Sequence, residues 1–287
     1  MKISEILKQN KRTISFEVFP PKTESAFDSI RFATEEIAGL SPAYMSVTYG
    51  AGGGTSKYTL DIAENIEKNY GVPTLAHLTC VSSTRATVLA RIADMRAAGI
   101  ENVMALRGDI PVGMENMPMD YKYALELVRE LRSAGDFCIG GACYPEVHPE
   151  SRSADDDIAH LRAKADAGCN FLTTQMFFDN SLYYRFVERA RGAGIELPII
   201  PGVMPITRAA QVDRAINLSG SYMPRRFLSL VERFGDDPVA MTQAGIEYAA
   251  EQITDLYNNG VKNVHVYSMN KPEVARAILN KVSDILK

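Results

Sequence analysis

Cysteine and histidine are scarce in this 287-residue chain, four of each. Cys80, Cys138, Cys143 and Cys169 are widely spread and none forms a C-x-x-C pair. That excludes a disulfide framework and predicts small buried hydrophobes instead. The histidines show neither H-E-x-x-H nor H-x-H spacing, so no metal ligand is assigned. No apolar run reaches the ~18 residues of a membrane span, and Met1-Lys2-Ile3-Ser4-Glu5 lacks a signal-peptide core. Basic residues are scattered and the net charge is -4, which argues against nucleic acid or an anionic membrane as partner. The cytoplasm is the expected compartment. Nucleotide fingerprints are missing too. No G-x-G-x-x-G follows the first strand, and Gly52 to Lys57 does not fit the Walker spacing.

What remains is an ordinary globular composition, 46% hydrophobic and 23% charged, arranged in a regular alternation. Short β-branched or aromatic runs are predicted as strands at 13–19, 44–50, 74–80, 102–107, 138–144, 171–178, 197–203 and 264–268. Helical spacing fills the gaps at about 26–40, 57–70, 85–98, 121–134, 154–167, 181–192 and 272–286. At least two further helices lie between the seventh and eighth strands, one opening at Thr207-Arg208 and another at Asp237-Pro238. Gly99, Gly135, Gly168 and Gly260 read as left-handed helix ends. Unbroken βα alternation implies a parallel sheet, and eight units in a chain above the ~250 residues of such folds predict a closed (β/α)8 TIM barrel with extra helices between strands 7 and 8. An open doubly wound sheet is the alternative, weakened by the missing glycine fingerprint. The expected organisation is a single domain over 1–287.

The first strand, Thr13-Ile14-Ser15-Phe16-Glu17-Val18-Phe19, carries a carboxyl group in an apolar setting. Walled by Phe16 and Phe19, Glu17 is expected to have a raised pKa, as a general acid near neutral pH requires. A structural ion pair is the other reading. Polar residues crowd the C-terminal ends of the strands: Glu17, Thr48-Tyr49, His77, Arg107-Gly108-Asp109, Tyr144-Pro145-Glu146, Gln175 and Tyr267-Ser268. In a closed barrel these ends share one rim, where active sites of this fold lie, so an enzyme is expected.

Each motif keeps a plainer alternative. Ala51 to Lys57 is either a flexible rim loop or a backbone approach to a flat ligand. Arg107 and Asp109 form a salt-bridged turn, or hold a phosphate and a heterocycle's N–H groups. Tyr144 and His148 flank rigid prolines and suit stacking on a planar cofactor. His77 is a satisfied core histidine or a site residue. Gln175 is a buried amide or a reader of a pterin or nicotinamide edge. Asp155-Asp156-Asp157 suits a helix N-terminus on structural grounds alone.

Seven segments in register carry a family resemblance: 16–22, 47–51, 77–80, 106–109, 144–150, 175–179 and 201–205. Together they resemble the bacterial 5,10-methylenetetrahydrofolate reductases. The resemblance implies a (β/α)8 barrel without the regulatory C-terminal domain of eukaryotic members, holding non-covalent FAD. It implies ping-pong chemistry: NADH or NADPH gives hydride to the flavin, and methylenetetrahydrofolate then takes it at the same place to become 5-methyltetrahydrofolate. Glu17 matches the family's general acid for ring opening, and Asp109 the carboxylate beside the flavin pyrimidine and pterin. Matches for the flavin are Tyr49, Ala51, His77, Arg107, Gly108, Asp109, Tyr123, Ala124, Tyr144, His148, Asp157, His160 and Lys164. Thr48, Gln175, Gln211 and Lys271 match substrate positions.

Three positions depart from the family pattern. Ala163 precedes Lys164 where two basic residues are often paired. Lys271 replaces an arginine and its planar fork. Ala215 stands where an aromatic ring stacks on the substrate, a role open to Tyr222 or Phe227. These departures motivate a second reading, a flavin-bearing subunit of a larger redox complex that receives electrons from a partner protein. A homo-oligomer is equally compatible with the sequence.

Overall fold

A computed structural model describes residues 1–21, 23–49, 56–110 and 119–287, apart from the side chains of Ser56, Lys57 and Leu218. The strands are β1 (Thr13–Val18), β2 (Met45–Val47), β3 (Thr74–Thr79), β4 (Asn102–Leu106), β5 (Cys138–Cys143), β6 (Phe171–Thr174), β7 (Ile199–Ile200), β8 (Gly202–Val203) and β9 (Asn263–Tyr267). The helices are α1 (Ile3–Lys8), α2 (Phe27–Ala38), α3 (Ser56–Tyr70), α4 (Arg85–Ala97), α5 (Ala124–Ala134), α6 (Ala154–Asp166), α7 (Asn180–Gly192), α8 (Ala210–Ser219), α9 (Arg225–Phe234), α10 (Pro238–Asn258) and α11 (Pro272–Leu286).

All pairings are parallel, in the order β7-β6-β5-β4-β3-β2-β1-β9-β8. The two ends of that ladder are separated by one residue, Pro201. Thr173 pairs with Ile200 on one side of it, and Gly202 with His265 on the other. Proline has no N–H to continue a ladder, so the seventh strand of the expected eight is split into β7 and β8. The Pro201 carbonyl still accepts the His265 N–H at 2.9 Å, and the barrel closes.

Alternation sorts the side chains. Phe16, Val18, Val47, Leu78, Val103 and Val266 face the helices and share one core with Ile37, Ile66, Ile92, Leu131, Ile253 and Ile278. Each such burial contributes about 1.5–3 kcal/mol. Inside the barrel, Tyr44, Leu75, Met104, Phe171 and Ile200 form a second layer. It is closed from below by Ile3, Ile6 and Leu7 of α1, a helix the sequence reading did not anticipate. Buried Asn102 fastens that plug. Its Oδ1 accepts the Ile3 N–H at 2.7 Å, and its Nδ2 donates to the Thr74 and Met1 carbonyls.

Local signals explain several helix ends. Asp237 accepts from the Val239 and Ala240 amides ahead of Pro238, and Ser153 from the Asp156 amide, as N-caps. Gly99, Gly168 and Gly260 have positive φ as expected, whereas Gly135 is extended, with φ 160°. The extra helices α8 and α9 build a satellite core of Phe178, Ile206, Val212, Ala215, Phe227 and Met241. Among the described residues no helix is long and apolar enough to cross a membrane.

Candidate active site

Glu17 lies at the C-terminal end of β1, in the same alternation phase as Ser15 and opposite to Phe16 and Val18. Register sets Ser15 beside His265 and Glu17 beside Tyr267, while Ser46 of β2 is the other neighbour of Glu17. Phe16 therefore does not wall the carboxyl as expected, because it points into the helix-facing core. The carboxyl's neighbours are His77 Nε2 at 3.7 Å, His265 Nε2 at 3.9 Å and the Ser46 hydroxyl, which donates at 3.3 Å. The end of β1 is rigidly held. Asn270 clasps the Phe19 N–H and C=O with its side-chain amide, both at 2.9 Å, and Ser268 donates to the Glu17 carbonyl at 2.6 Å.

His265 was not flagged by the sequence, nor were Ser15 and Ser46. Ser15 Oγ lies 2.7 Å from His265 Nδ1 and 3.2 Å from the Val264 carbonyl, to which it donates. With the Ser15 proton on that carbonyl, the imidazole donates from Nδ1 to Ser15; with it on Nδ1, the imidazole accepts. Ser46 Oγ lies 3.0 Å from Nε2. The single Ser46 proton thus serves either a neutral imidazole or the Glu17 carboxylate, and serves the carboxylate when Nε2 carries its own proton. The available signal was alternation: Ser15 and Glu17, then His265 and Tyr267, are polar pairs two residues apart in otherwise apolar strands.

The pKa expectation for Glu17 is overturned. Burial pushes its carboxyl up, but the His265 and His77 imidazoles and the Ser46 hydroxyl together pull it below the ordinary glutamate value. His77 is itself lowered, by burial first, with Glu17 opposing. The Glu17 side chain retains 21% exposure toward the barrel mouth.

Around the rim, other expected residues fall into groups. Arg107 forms a bidentate pair with Glu150, at 2.5 and 2.7 Å, and its Nε donates to the Gly108 carbonyl. Glu150 raises the guanidinium pKa. The fork therefore joins the end of β4 to the loop after β5. Gly108 sits at φ +85°, and a Cβ there would lie 2.9 Å from Val81 Cγ1. Asp109, next to it, is exposed. Tyr144 and His148 meet edge to face at 4.5 Å, and Asp157 receives the His148 N–H and the Ser151 hydroxyl. Lys164 donates to the Ala142 carbonyl at 2.5 Å. Tyr123, just before Ala124 opens α5, stacks on His160 at 6.1 Å. Thr48 and Tyr49 follow β2, and the Thr48 carbonyl accepts the Thr59 hydroxyl. Ala51 lies outside the described residues.

On the opposite side, Gln175 follows β6. Gln211 accepts the Thr207 and Arg208 amides, and Lys271 donates to the Thr207 hydroxyl at 2.6 Å, so these two distant residues converge on Thr207. Burial and Arg208 lower the Lys271 pKa. Phe227 is not a replacement for the aromatic missing at Ala215: both are buried in the satellite core. Tyr222 is 54% exposed.

His77 Nε2 is buried without a hydrogen-bond partner among the described residues. An orphaned imidazole nitrogen at a mouth marks the place of an incoming polar group. The exposed Tyr123 ring could meet a planar cofactor, and the cations Arg107 and Lys164 could meet its phosphates on release from Glu150 and the Ala142 carbonyl. Among the described residues no cluster could hold a metal ion.

A parallel (β/α)8 barrel with a carboxylate–imidazole cluster at the C-terminal mouth defines an enzyme of the TIM-barrel class. Among solved structures, a Clostridium thermocellum protein described as binding two copies of 5-methyl-5,6,7,8-tetrahydrofolic acid superposes with a TM-score of 0.65 at 16% identity, covering 99% of this chain and 98% of its own. The tryptophan synthase α-subunit of Pyrococcus furiosus gives 0.57 at 11%, covering 96% and 98%. At such identities the likeness concerns the fold. Sequence relatives are nearer. The 5,10-methylenetetrahydrofolate reductases of Pectobacterium carotovorum and Escherichia coli are each 35% identical over 94% of this chain and 90% of their own. "Methylenetetrahydrofolate reductase (NADH) 1" of Arabidopsis thaliana is 34% identical over 97% of this chain and 49% of its own length. The profile described as "Methylenetetrahydrofolate reductase" matches residues 2–283, and the chain belongs to that family.

Proposed function

We propose that this chain reduces 5,10-methylenetetrahydrofolate to 5-methyltetrahydrofolate with NADH or NADPH as electron donor and non-covalent FAD as cofactor, as a single catalytic barrel in the cytoplasm. The observation that carries the reading is the Glu17 carboxyl, set at the mouth between two imidazoles in a chain of this family. Bound FAD would carry hydride between the two substrates. Its holders would be Tyr49, Ala51, His77, Arg107, Gly108, Asp109, Tyr123, Ala124, Tyr144, His148, Asp157, His160 and Lys164, with the orphaned His77 nitrogen supplying one polar contact. Thr48, Gln175, Gln211 and Lys271 would hold the substrates, which take turns at one place.

The chain's own chemistry is proton delivery. Opening the folate's five-membered ring requires a proton on the departing nitrogen, and Glu17 holds it. Burial lowers His77, which is therefore neutral near pH 7, so one of the cationic pulls on the carboxyl is gone there. A ring laid over the exposed fifth of the Glu17 side chain desolvates it and moves its pKa up, toward that of a working acid. Asp109 adds negative charge at the rim, which favours a cationic ring-opened folate.

The test is anaerobic mixing of FAD-loaded protein. NADH should bleach the flavin absorption and methylenetetrahydrofolate restore it; a colourless protein that takes up no FAD sinks the reading. Glu17→Gln should keep the bleaching and lose the restoration. A second reading is electron delivery by a partner protein. Motivated by the departures at Ala163, Ala215 and Lys271, it is selected if folate reoxidises the chemically reduced flavin while neither NADH nor NADPH bleaches it.

A further inference from the structure

Glu146 lies three residues beyond β5 and carries a half-buried carboxyl outside the Glu17 cluster. Its Oε2 accepts the Tyr222 backbone N–H at 2.7 Å. Its Oε1 is buried with no hydrogen-bond partner among the described residues. Burial pushes this carboxyl above the ordinary glutamate value; the Tyr222 amide offsets part of that, and Asp179 adds to it. A buried oxygen left without a donor is costly, so an apolar side chain here would be the easier choice for stability. The Tyr222 bond ties it to the loop between α8 and α9, 76 residues away.

That loop has a second tie to the rim. The Ser221 hydroxyl donates to the Met176 carbonyl at 3.2 Å, one residue past Gln175, and lies 2.6 Å from the Ser219 hydroxyl. The two bonds fasten residues 221 and 222 to the strand ends of β5 and β6 together. Tyr222 keeps 54% exposure there, while the other aromatic of this region is committed elsewhere. Phe227 is 1% exposed, stacked on Phe178 at 5.4 Å and edge-on to Tyr248 at 4.9 Å.

The geometry points to Glu146 as a positioning residue that holds Tyr222 on the rim beside Gln175, where its ring walls the subsite for a planar heteroaromatic ligand, the nicotinamide and the pterin in turn. The inference rests on the folate-reductase reading for the ligand, and on the hydrogen bonds alone for the latch. Glu146 acts through Tyr222 and takes no part in proton transfer.

Four variants of the FAD-loaded protein test it: Glu146→Ala, Glu146→Gln, Tyr222→Ala and the double Glu146→Ala/Tyr222→Ala. Amide hydrogen exchange reads the latch without turnover. Glu146→Ala should speed exchange at Tyr222 by about tenfold or more, and Glu146→Gln, which keeps an acceptor oxygen, should not. In steady state, Glu146→Ala and Tyr222→Ala should each raise KM for NADH and for the folate up to about tenfold, with kcat and flavin content nearly unchanged. The double variant should be no worse than either single one. Unchanged exchange in Glu146→Ala, unchanged KM in Tyr222→Ala, or additive losses in the double variant each overturn the proposal. Should Glu146→Ala fail to fold, Tyr222→Ala decides, because that side chain is exposed. An inactive wild-type protein defeats the folate-reductase reading, while the exchange result still decides the latch.

Discussion

Ser46 Oγ stands between Glu17 and His265, 3.3 Å from the carboxylate and 3.0 Å from the imidazole Nε2. One hydroxyl therefore bridges a carboxylate and an imidazole contributed by strands at opposite ends of the chain. Because Ser15 fixes the other face of the imidazole, the ring cannot turn away without breaking a buried hydrogen bond.

Ser46→Ala removes a bond that lowers the Glu17 pKa. The carboxyl pKa should then rise, and because Glu17 acts in its protonated form the alkaline limb of the pH profile for folate reduction should move to higher pH. Loss of one positioned hydrogen bond predicts a rate reduced by about tenfold, with flavin reduction by NADH unaffected. The two half-reactions, followed separately by stopped flow between pH 5 and 9, check this.

The cluster also sets a pH dependence of stability. Glu17 is lowered in the fold, so its contribution is present above the unfolded value of 4.5 and is lost as pH falls through the folded one. His77 is likewise lowered, so below about 6.5 the unfolded chain takes up a proton that the folded chain resists, and stability falls again in the acid direction. Both signs agree: urea midpoints should drop steadily from pH 7 to pH 4. In His77→Gln the upper part of that slope should flatten.

Asn102→Ala should destabilise the protein by about 2–3 kcal/mol, because it leaves the buried Ile3 amide and Thr74 carbonyl without partners and loosens the plug beneath the barrel. Flavin affinity should be unchanged, since the plug lies at the end remote from the mouth. Thermal unfolding alongside FAD titration separates the two effects.

Gly108→Ala places a methyl group 2.9 Å from Val81 Cγ1 at a φ of +85°. Strain of about 1–2 kcal/mol is expected from the backbone alone. The neighbouring Arg107–Glu150 pair should shift with it, so FAD affinity should fall together with Tm. Equilibrium FAD binding is the measurement; an unchanged affinity would mean that this turn does not shape the cofactor side.

The repeating pattern of strands, helices and caps was readable in the chain because it depends on near neighbours: apolar spacing, Asp237-Pro238, the glycines at 99, 168 and 260. Glu17 was also visible, as a carboxyl in an apolar strand, and so were the polar strand ends that a closed barrel gathers on one rim. Its surroundings were not. Whether Glu17 meets phenyl rings or imidazoles depends on which alternation phase faces inward and on the register of β1 against β9, a pairing across some 250 residues. Only the direct pairing of β1 with β9 in the folded barrel sets that register, and with it the imidazole neighbours of Glu17. The convergence of Gln211 and Lys271 on Thr207, and the grip of Glu146 on Tyr222, are likewise contacts between distant segments. Local sequence specifies the elements, whereas electrostatic environment is a property of what the fold brings within a few ångströms.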